Sequence, residues 1–316
     1  ERGCGGGSDV DRGADQEWRL KCDSRGMKPL LGLFLTACLY AQTTTYRGYN
    51  WTTGAYDLPQ SIVYRVPAGP GPFPVFIWVP GTFQLHFDVM SLVIVNEMAN
   101  RGFLAASVQY DNFSPIQFCP VYEQRARSVF DATRADSAIG VMCGLPGADC
   151  SKGIATAGIS QGGVLAVLAK NYAPRVTATW AMSVSAHNKL FGLDLPCLDK
   201  ANTAISAERL RIVNGESDPV FGGQVAVERA AGFTCAPGSF ECSSPIGNGA
   251  GWYIVRDAEV DDRVAGHCYQ MIGDCTGFFF DSTWFFSTTA PWGLRANLDW
   301  LSWTTRLHLS AFRDRN

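Results

Sequence analysis

The stretch "GIATAGISQGGVLAVLAKNYA", residues 153–173, decides the fold. Its first part, "GIATAGI", is a short apolar run typical of a buried strand, and "QGGVLAVLAK" after it has the composition of a helix. Ser160 lies in the turn between them, with Gly158 and Gly162 on either side in the pattern G-x-S-x-G. The five-residue motif alone is weak evidence for a catalytic serine. A strand before it and a helix after it, however, are the structural context of a nucleophile elbow. The stretch therefore predicts an exposed, reactive serine, with an incidental serine in a glycine-rich turn as the alternative.

The surroundings of Ser160 favour a reaction that develops negative charge on oxygen. Small residues at positions 158 and 162 let strand and helix approach closely around a strained turn. The helix N-terminus behind the turn adds partial positive charge and free amide donors. The amide of Gln161 is one predicted oxyanion donor. The other comes from the loop in "FIWVPGTFQ", residues 76–84, where Thr82 is the first choice and Phe83 the second.

Apolar runs alternate with helical patterns from about residue 61 onward. This alternation predicts an α/β fold with a mostly parallel central sheet and helices on both faces. The predicted strands are 61–66, 74–79, 103–110, 153–159, 176–182, 210–215 and 251–257. Helical periodicity marks 87–102, 123–142 and 293–309. Two loop-rich insertions, at about 183–209 and 232–250, are candidates for substrate specificity because they leave the ligand-binding edge of the sheet or its flanking helices.

A serine nucleophile needs a base, and the four histidines are the candidates. His267 in "DDRVAGHCYQ" follows the last predicted strand, so a loop there would bring it over the sheet edge. His86 and His308 lie in or near helical patterns and are interpreted as surface or packing residues. His187 comes too early for the chain order serine, acid, histidine. His267 is therefore the predicted base.

The base in turn needs an orienting carboxylate. Asp218 in "LRIVNGESDPVFG" directly follows an apolar strand that comes later in the chain than Ser160. A helix cap before Pro219 is its alternative role, and the two roles are compatible. Three other aspartates lie too close to His267 in sequence to reach it from a different strand, namely Asp257, Asp261 and Asp262. Asp218 is the predicted acid.

Composition excludes some classes of partner. The chain has 316 residues, of which 47% are hydrophobic and 17% charged, so it can bury a sizeable core. The net charge is −3 and no long basic run occurs, which argues against a nucleic-acid partner. Asn50 and Asn112 begin N-x-S/T triplets. The aromatic run "FFFDSTWFF", residues 278–286, fits either core packing or the lining of an acyl pocket.

The N-terminal part resembles an export signal rather than part of a fold. Residues 1–26 are glycine-rich and charged, and we interpret them as an upstream extension. "MKPLLGLFLTACLYA", residues 27–41, predicts a signal peptide whose cleavage exposes Gln42. Its apolar stretch is shorter than the roughly 20 residues that span a bilayer. A lipoprotein signal with lipidated Cys38 is the alternative. We expect a secreted monomer, extracellular or periplasmic, with one catalytic domain over 42–316.

Cysteine spacing supports export. Eight of the eleven cysteines follow the signal segment, and an even set in an exported chain suggests disulfides. Three neighbouring pairs share a separation of seven residues, and the remaining two cysteines form the fourth pair: Cys143 with Cys150, Cys235 with Cys242, Cys268 with Cys275, and Cys119 with Cys197. No C-x-x-C pair or histidine cluster indicates a metal site.

Four motifs in order resemble those of the α/β-hydrolases, and within them the secreted bacterial esterases related to dienelactone and polyester hydrolases. They are "VPGTF" (79–83), "GISQGG" (158–163), "GESDPV" (215–220) and "AGHC" (265–268), and the resemblance covers about residues 61–308. It implies the α/β-hydrolase fold and a serine esterase that forms an acyl-enzyme and uses no cofactor. The expected substrate is an ester, small or polymeric. A serine peptidase or amidase, or a non-catalytic binding protein of the same fold, are the alternatives.

Overall fold

The computed structural model describes residues 41–113, 118–186, 196–220 and 223–313, with side chains in the last helix up to residue 307. The predicted extension, almost all of the predicted signal peptide, Cys38, His187 and the side chain of His308 lie outside this part. The described residues belong to one compact unit. Gln42, which the predicted cleavage would expose, is the first residue of the first strand.

Strands form a mostly parallel sheet at the centre of the molecule. The described strands are β1 Gln42–Asn50, β2 Ala55–Arg65, β3 Val75–Val79, β4 Leu104–Val108, β5 Ile154–Ile159, β6 Val176–Met182, β7 Leu210–Gly215, β8 Glu241–Ser243, β9 Gly251–Val255, β10 Met271–Ile272 and β11 Phe279–Phe280. Nine of these form one sheet in the order β1-β2-β4-β3-β5-β6-β7-β9-β8. The strands from β4 to β9 in this order run parallel, and antiparallel strands close both edges. β10 and β11 pair separately.

Helices cover both faces of the sheet. They are α1 Val89–Asn100, α2 Cys119–Phe130, α3 Ala138–Gly144, α4 Gln161–Tyr172, α5 Gln224–Ala231, α6 Ser282–Phe286 and α7 Leu294–Arg313. One buried core cluster takes side chains from α2, α3, α4 and α5, and a second takes them from α1, α6 and α7. Sheet and helices together confirm the predicted fold class. No helix in the described part of the chain has the length and apolar character needed to cross a membrane.

The central strands are the elements that the sequence locates best. β6 and β7 have the predicted bounds, and every residue of β3, β4, β5 and β6 is buried. A parallel strand covered by helices on both faces has no solvent-facing side, so its sequence is a continuous apolar run. Such runs are conspicuous in the sequence because only small polar residues interrupt them, such as Thr156 in β5 and Ser107 in β4, and no residue in them is charged.

The prediction of one helix over 123–142 is wrong. The segment contains two helices, α2 and α3, separated by a turn between Asp131 and Ser137. The Ser137 hydroxyl accepts a hydrogen bond from the Gly140 amide at 3.0 Å and donates one to the Asp131 carbonyl at 2.8 Å. A serine in this position satisfies an otherwise unpaired amide and starts a new helix. Apolar periodicity continues across the turn because both helices bury their apolar sides in one core cluster.

Four disulfides hold loops around the sheet. They are the four pairs that the sequence spacing suggests. The pair Cys119 and Cys197 joins residues 78 positions apart, linking the start of α2 to the insertion that follows β6. The pair Cys268 and Cys275 closes the loop directly after His267. The second insertion, 232–250, contains β8 and the pair Cys235 and Cys242. The insertion after β6 is therefore fastened covalently to the helical layer.

Candidate active site

Ser160 lies in a sharp turn between β5 and α4. Its backbone has φ 55° and ψ −125°, a conformation that non-glycine residues rarely adopt. A Cβ atom on Gly158 would lie 2.4 Å from the carbonyl oxygen of Gly162. One on Gly162 would lie 2.1 Å from the carbonyl oxygen of Val79. Both glycines are therefore required for β3, β5 and α4 to approach closely enough to hold the strained serine.

We expect Gly162→Ala to lower the free energy of unfolding by about 2–3 kcal/mol, because the added methyl group overlaps backbone that cannot move aside. Gly144→Ala is the matched control, since a Cβ atom at this helical position meets no atom within 4 Å. The control should change stability by less than about 1 kcal/mol, in the stabilising direction. Urea denaturation followed by circular dichroism measures both. Equal stability of the two variants would contradict the close approach at the turn.

Ser160 opens into a cavity of about 550 Å³ at the carboxyl edge of the sheet. The cavity also contains the predicted base and the two predicted oxyanion donors. It is lined by residues 81–84, Tyr122, Ile159, Ser160, Gln161, Val164, 183–185, Cys197, Leu198, Pro219, Val220, His267, Cys268 and Cys275. The insertion after β6 contributes part of this wall, as expected from its place at the sheet edge.

The ring of His267 is held by Asp218. Nδ1 of the ring lies 2.9 Å from each carboxylate oxygen of Asp218, whose side chain is fully buried. The Val220 amide donates to Oδ1 of the same carboxylate at 2.9 Å. Asp218 does not cap a described helix, because α5 begins at Gln224 with Gly223 as its N-cap. The carboxylate therefore orients the imidazole and has no helix-capping role.

The buried phenol of Tyr269 lies within electrostatic range of this carboxylate. Burial, with the negative charge of Asp218 as a smaller contribution, raises the pKa of Tyr269 well above its usual value. The phenol therefore stays protonated and adds no second negative charge beside Asp218.

Ser160 and His267 face the same cavity, but no hydrogen bond between these two side chains is present in the described structure. Catalytic hydrogen bonds are often long or poorly aligned before substrate binds. The ring is about one-fifth exposed, so its outer edge is accessible from the cavity.

The loop that carries His267 is fixed at several points. The Ser183 hydroxyl donates to the His267 carbonyl at 2.5 Å, and the Cys268 amide donates to the carboxylate of Asp274 at 2.5 Å. The disulfide between Cys268 and Cys275 closes the loop. Two sulfurs and a carboxylate cluster here, as in some metal sites. Both sulfurs are bonded to each other and cannot act as thiolate ligands, so the cluster stabilises the loop.

The other candidate acids have different partners. Asp257 accepts hydrogen bonds from the Ser217 hydroxyl at 2.9 Å and the Ala265 amide at 2.8 Å. Asp261 accepts from the amide and hydroxyl of Ser282, and Asp262 from the Gly273 amide. All three stabilise the loop before and after His267 and make no hydrogen bond to its ring.

The two predicted oxyanion donors, Gln161 and Thr82, line the same cavity as Ser160. Gln161 is the first residue of α4, where amides have no acceptor within the helix. The Thr82 amide has no hydrogen-bond acceptor among the described residues, whereas the Phe83 amide donates to the Asn112 carbonyl at 3.1 Å. Phe83, the second choice from the sequence, is therefore already paired, and Thr82 is the better candidate.

Asn112 holds the turn of residues 81–84, a role that sequence reasoning missed. It is completely buried, and its side-chain amide donates to the carbonyls of Gly81 at 2.6 Å and Gln84 at 2.7 Å. Its own amide oxygen accepts from Gln109 at 2.7 Å. The oxygen of the Gln109 side chain in turn pairs with His86 at 2.9 Å. The turn is thus fixed by a chain of buried and partly buried polar groups.

His86 belongs to this buried network, as the packing interpretation predicts. Burial lowers its pKa, which favours the neutral ring. Nε2 of Gln109 points at Asn112, so the Gln109 oxygen faces His86 and the ring nitrogen Nδ1 is the donor. The ring does not line the cavity.

A buried arginine lies behind Gln161, also unforeseen from the sequence. Arg125 on α2 is 1% exposed and donates to the side-chain oxygen of Gln161 at 2.7 Å. Its guanidinium lies 3.6 Å from the carboxylate of Asp111. The contact ties α2 to the first residue of α4. The one signal for this contact in the sequence is that Arg125 is the only charged residue on the buried face of α2.

The aromatic run 278–286 does not line the cavity. Trp284 is fully buried, whereas Phe278 and Phe279 are 93% and 76% exposed. The run therefore contributes Trp284 to the core, packs Phe280 and Phe285 partly buried against it, and leaves Phe278 and Phe279 exposed. The interpretation as an acyl pocket is wrong, and the core interpretation holds for Trp284.

Comparisons with known proteins agree with this architecture. No protein-family model matches the chain, and no curated protein sequence matches it. A solved 2,6-dihydroxy-pseudo-oxynicotine hydrolase aligns with 88% of this chain and 73% of its own, at TM-score 0.50 and 16% identity. The acylaminoacyl peptidase of Pyrococcus horikoshii covers 63% of this chain and 35% of its own, at TM-score 0.43 and 14% identity. Esterase Est22 covers 64% of this chain and 72% of its own, at TM-score 0.40 and 14% identity.

At sequence identities this low, the similarity shows the fold but does not identify the substrate. The first alignment extends over most of both chains, and the strand order and helix layers agree with the motifs. This chain therefore has the α/β-hydrolase fold.

Proposed function

We propose that the protein is a serine hydrolase that cleaves carboxylic esters through an acyl-enzyme intermediate. The observation that carries the proposal is the shared cavity: the strained Ser160 and the ring of His267 both face it, and buried Asp218 holds the far side of that ring. A hydroxyl, an imidazole and a carboxylate in this chain order form the set used by serine hydrolases.

The hydrogen bond to Asp218 determines which ring nitrogen reacts. A carboxylate accepts, so Nδ1 of His267 carries the proton and Nε2 presents its lone pair. Nε2 takes the proton of Ser160 as the hydroxyl oxygen attacks the ester carbonyl. It then returns that proton to the departing alcohol as the bond between acyl carbon and alcohol oxygen breaks. A water molecule, deprotonated by the same nitrogen, releases the acid and regenerates Ser160.

Charge on the carbonyl oxygen is stabilised by the amides of Gln161 and Thr82. Both residues line the cavity beside Ser160, and the positive end of the helix dipole of α4 points to the same place. The reaction as written requires no cofactor.

We further propose that the chain works outside the cytoplasm, as a monomer with one catalytic domain over residues 42–316. Four disulfides are compatible with an oxidising compartment, extracellular or periplasmic. The substrate is an ester, and the cavity does not distinguish a small molecule from the end of a polymer chain.

Matched substrates test the reaction class. The full chain is assayed with p-nitrophenyl butyrate and with butyryl p-nitroanilide, which present the same acyl group as ester and as amide. We expect rapid turnover of the ester, little turnover of the anilide, and labelling by a fluorophosphonate probe. Comparable turnover of the anilide would identify an amidase or peptidase instead. Absence of both turnover and labelling would indicate a non-catalytic binding protein.

A further inference from the structure

Three of the four backbone amides of the turn 81–84 donate to an acceptor within the described structure. The Gly81 amide donates to the side-chain oxygen of Gln84 at 2.7 Å, and the Gly81 carbonyl accepts from the Asn112 side chain at 2.6 Å. The Gln84 amide donates to the Gly81 carbonyl at 3.2 Å, and the Phe83 amide to the Asn112 carbonyl at 3.1 Å. The Gln84 carbonyl accepts from the Asn112 side chain at 2.7 Å. Thr82 is the exception in this network.

Two donors on Thr82 have no acceptor among the described residues. They are its amide and its hydroxyl, whose oxygen is shielded from solvent. Buried hydroxyls are usually paired, so an unpaired one beside a reactive centre calls for an explanation. Thr82 lines the cavity together with Ser160 and Gln161. The missing acceptor is therefore expected to arrive with the substrate.

We propose that the Thr82 hydroxyl is a third oxyanion donor, acting beside the amides of Thr82 and Gln161. The proposal rests on the ester hydrolysis described above. The hydroxyl reaches the substrate by rotation about the Cα–Cβ bond, while the hydrogen bonds from Asn112 hold the backbone of the turn in place. The hydroxyl then pairs with the carbonyl oxygen when that oxygen becomes negatively charged.

A donor of this kind acts on kcat more than on KM. A neutral ester carbonyl is a weak acceptor, whereas the tetrahedral oxyanion is a strong one, so the bond strengthens on the way to the transition state. Removing the hydroxyl therefore leaves substrate binding nearly unchanged and slows acylation. A structural role for the hydroxyl would instead change stability and leave kcat alone.

Two substitutions separate the hydroxyl from the rest of the residue. Thr82→Val keeps the shape, the β-branch and the backbone amide but removes the hydroxyl. Thr82→Ser keeps the hydroxyl. With p-nitrophenyl butyrate we expect Thr82→Val to lower kcat by about 10- to 100-fold with KM changed less than about threefold. Thr82→Ser should remain within about threefold of the parent.

Thr305→Val is the matched control. Thr305 also has a fully buried hydroxyl that finds no partner in the described part of the chain, but it lies on α7 and does not line the cavity. We expect the parent kcat from this variant. Affinity for an alkyl boronic acid, whose adduct with serine imitates the tetrahedral oxyanion, should fall in Thr82→Val in proportion to kcat and stay unchanged in Thr305→Val.

The outcomes distinguish this proposal from the proposed function. If Thr82→Val folds, as judged by thermal unfolding, and keeps kcat within twofold of the parent, the third donor is refuted while ester hydrolysis stands. Equal losses in Thr82→Val and Thr82→Ser would also refute it, because the serine variant retains the hydroxyl. A parent protein without ester turnover or fluorophosphonate labelling refutes both.

Discussion

Ser160→Ala is expected to reduce kcat for p-nitrophenyl butyrate by at least about 10⁴-fold. Without the hydroxyl no acyl-enzyme forms, and hydrolysis depends on direct attack by water in the cavity. Residual turnover reflects the oxyanion donors alone. The strain at φ 55° could be released in the alanine variant only if the turn relaxed. The surrounding backbone contacts oppose such a relaxation. The far-ultraviolet circular dichroism and melting temperature of the variant should therefore match those of the parent.

Ser206→Ala serves as the control for this experiment. Ser206 is exposed, and its hydroxyl makes no helix-cap hydrogen bond. It should retain full activity and full labelling by the fluorophosphonate probe, whereas Ser160→Ala should lose both. If Ser160→Ala keeps more than about 1% of the parent kcat in a homogeneous preparation free of parent protein, another residue is the nucleophile and the assignment fails.

Asp218→Asn is expected to lower kcat by about 10⁴-fold, nearly as much as removal of the imidazole in His267→Ala. An asparagine can donate from its amide nitrogen, which favours the His267 tautomer with the proton on Nε2. The ring would then present a proton to Ser160 instead of a lone pair. The carboxylate is fully buried and lies 2.9 Å from Nδ1, so no other described acid can take its place.

Asp299→Asn provides the matched change at a remote position. This carboxylate is 68% exposed and pairs with Arg101 on the surface, so its loss should leave kcat at the parent value. The double variant of Asp218→Asn and His267→Ala supplies a second comparison. When residues act as a unit, the losses of kcat caused by substituting each of them do not multiply. The kcat of the double variant should therefore lie within about threefold of that of the slower single variant. Independent, multiplicative losses would mean that the two side chains do not work together.

The parts of the fold that are predictable from sequence are those with local signals. β5, the turn at Ser160 and α4 follow one another without interruption, and each element is visible in its own residues. β6 is entirely buried and consists of apolar residues with two threonines and no charge, and its predicted bounds are the observed ones. The placement of Asp218 and His267 after later strands follows from topology, because parallel strands deliver their carboxyl ends to one edge of the sheet.

Other features depend on contacts between distant residues and leave no local signal. Asn112 lies about thirty residues from the turn it clamps, and the triplet around it suggests only a surface loop. The Phe83 amide donates to the carbonyl of this same Asn112. That hydrogen bond is the reason why Thr82 is a better oxyanion donor than Phe83. The break before α3 does have a local signal, because Ser137 is a typical N-cap residue. The continuous apolar periodicity nevertheless led to the prediction of one helix.

The buried position of Asn112 has a consequence for the choice of expression host. Yeast and mammalian cells attach sugars to N-x-S/T triplets as the chain enters the endoplasmic reticulum, before it has folded. A glycan on Nδ2 of Asn112 would occupy the nitrogen that donates to both Gly81 and Gln84, and a completely buried residue has no room for it. Ser114→Ala removes the triplet while keeping the asparagine, so that such hosts can yield a protein whose Asn112 carries no glycan.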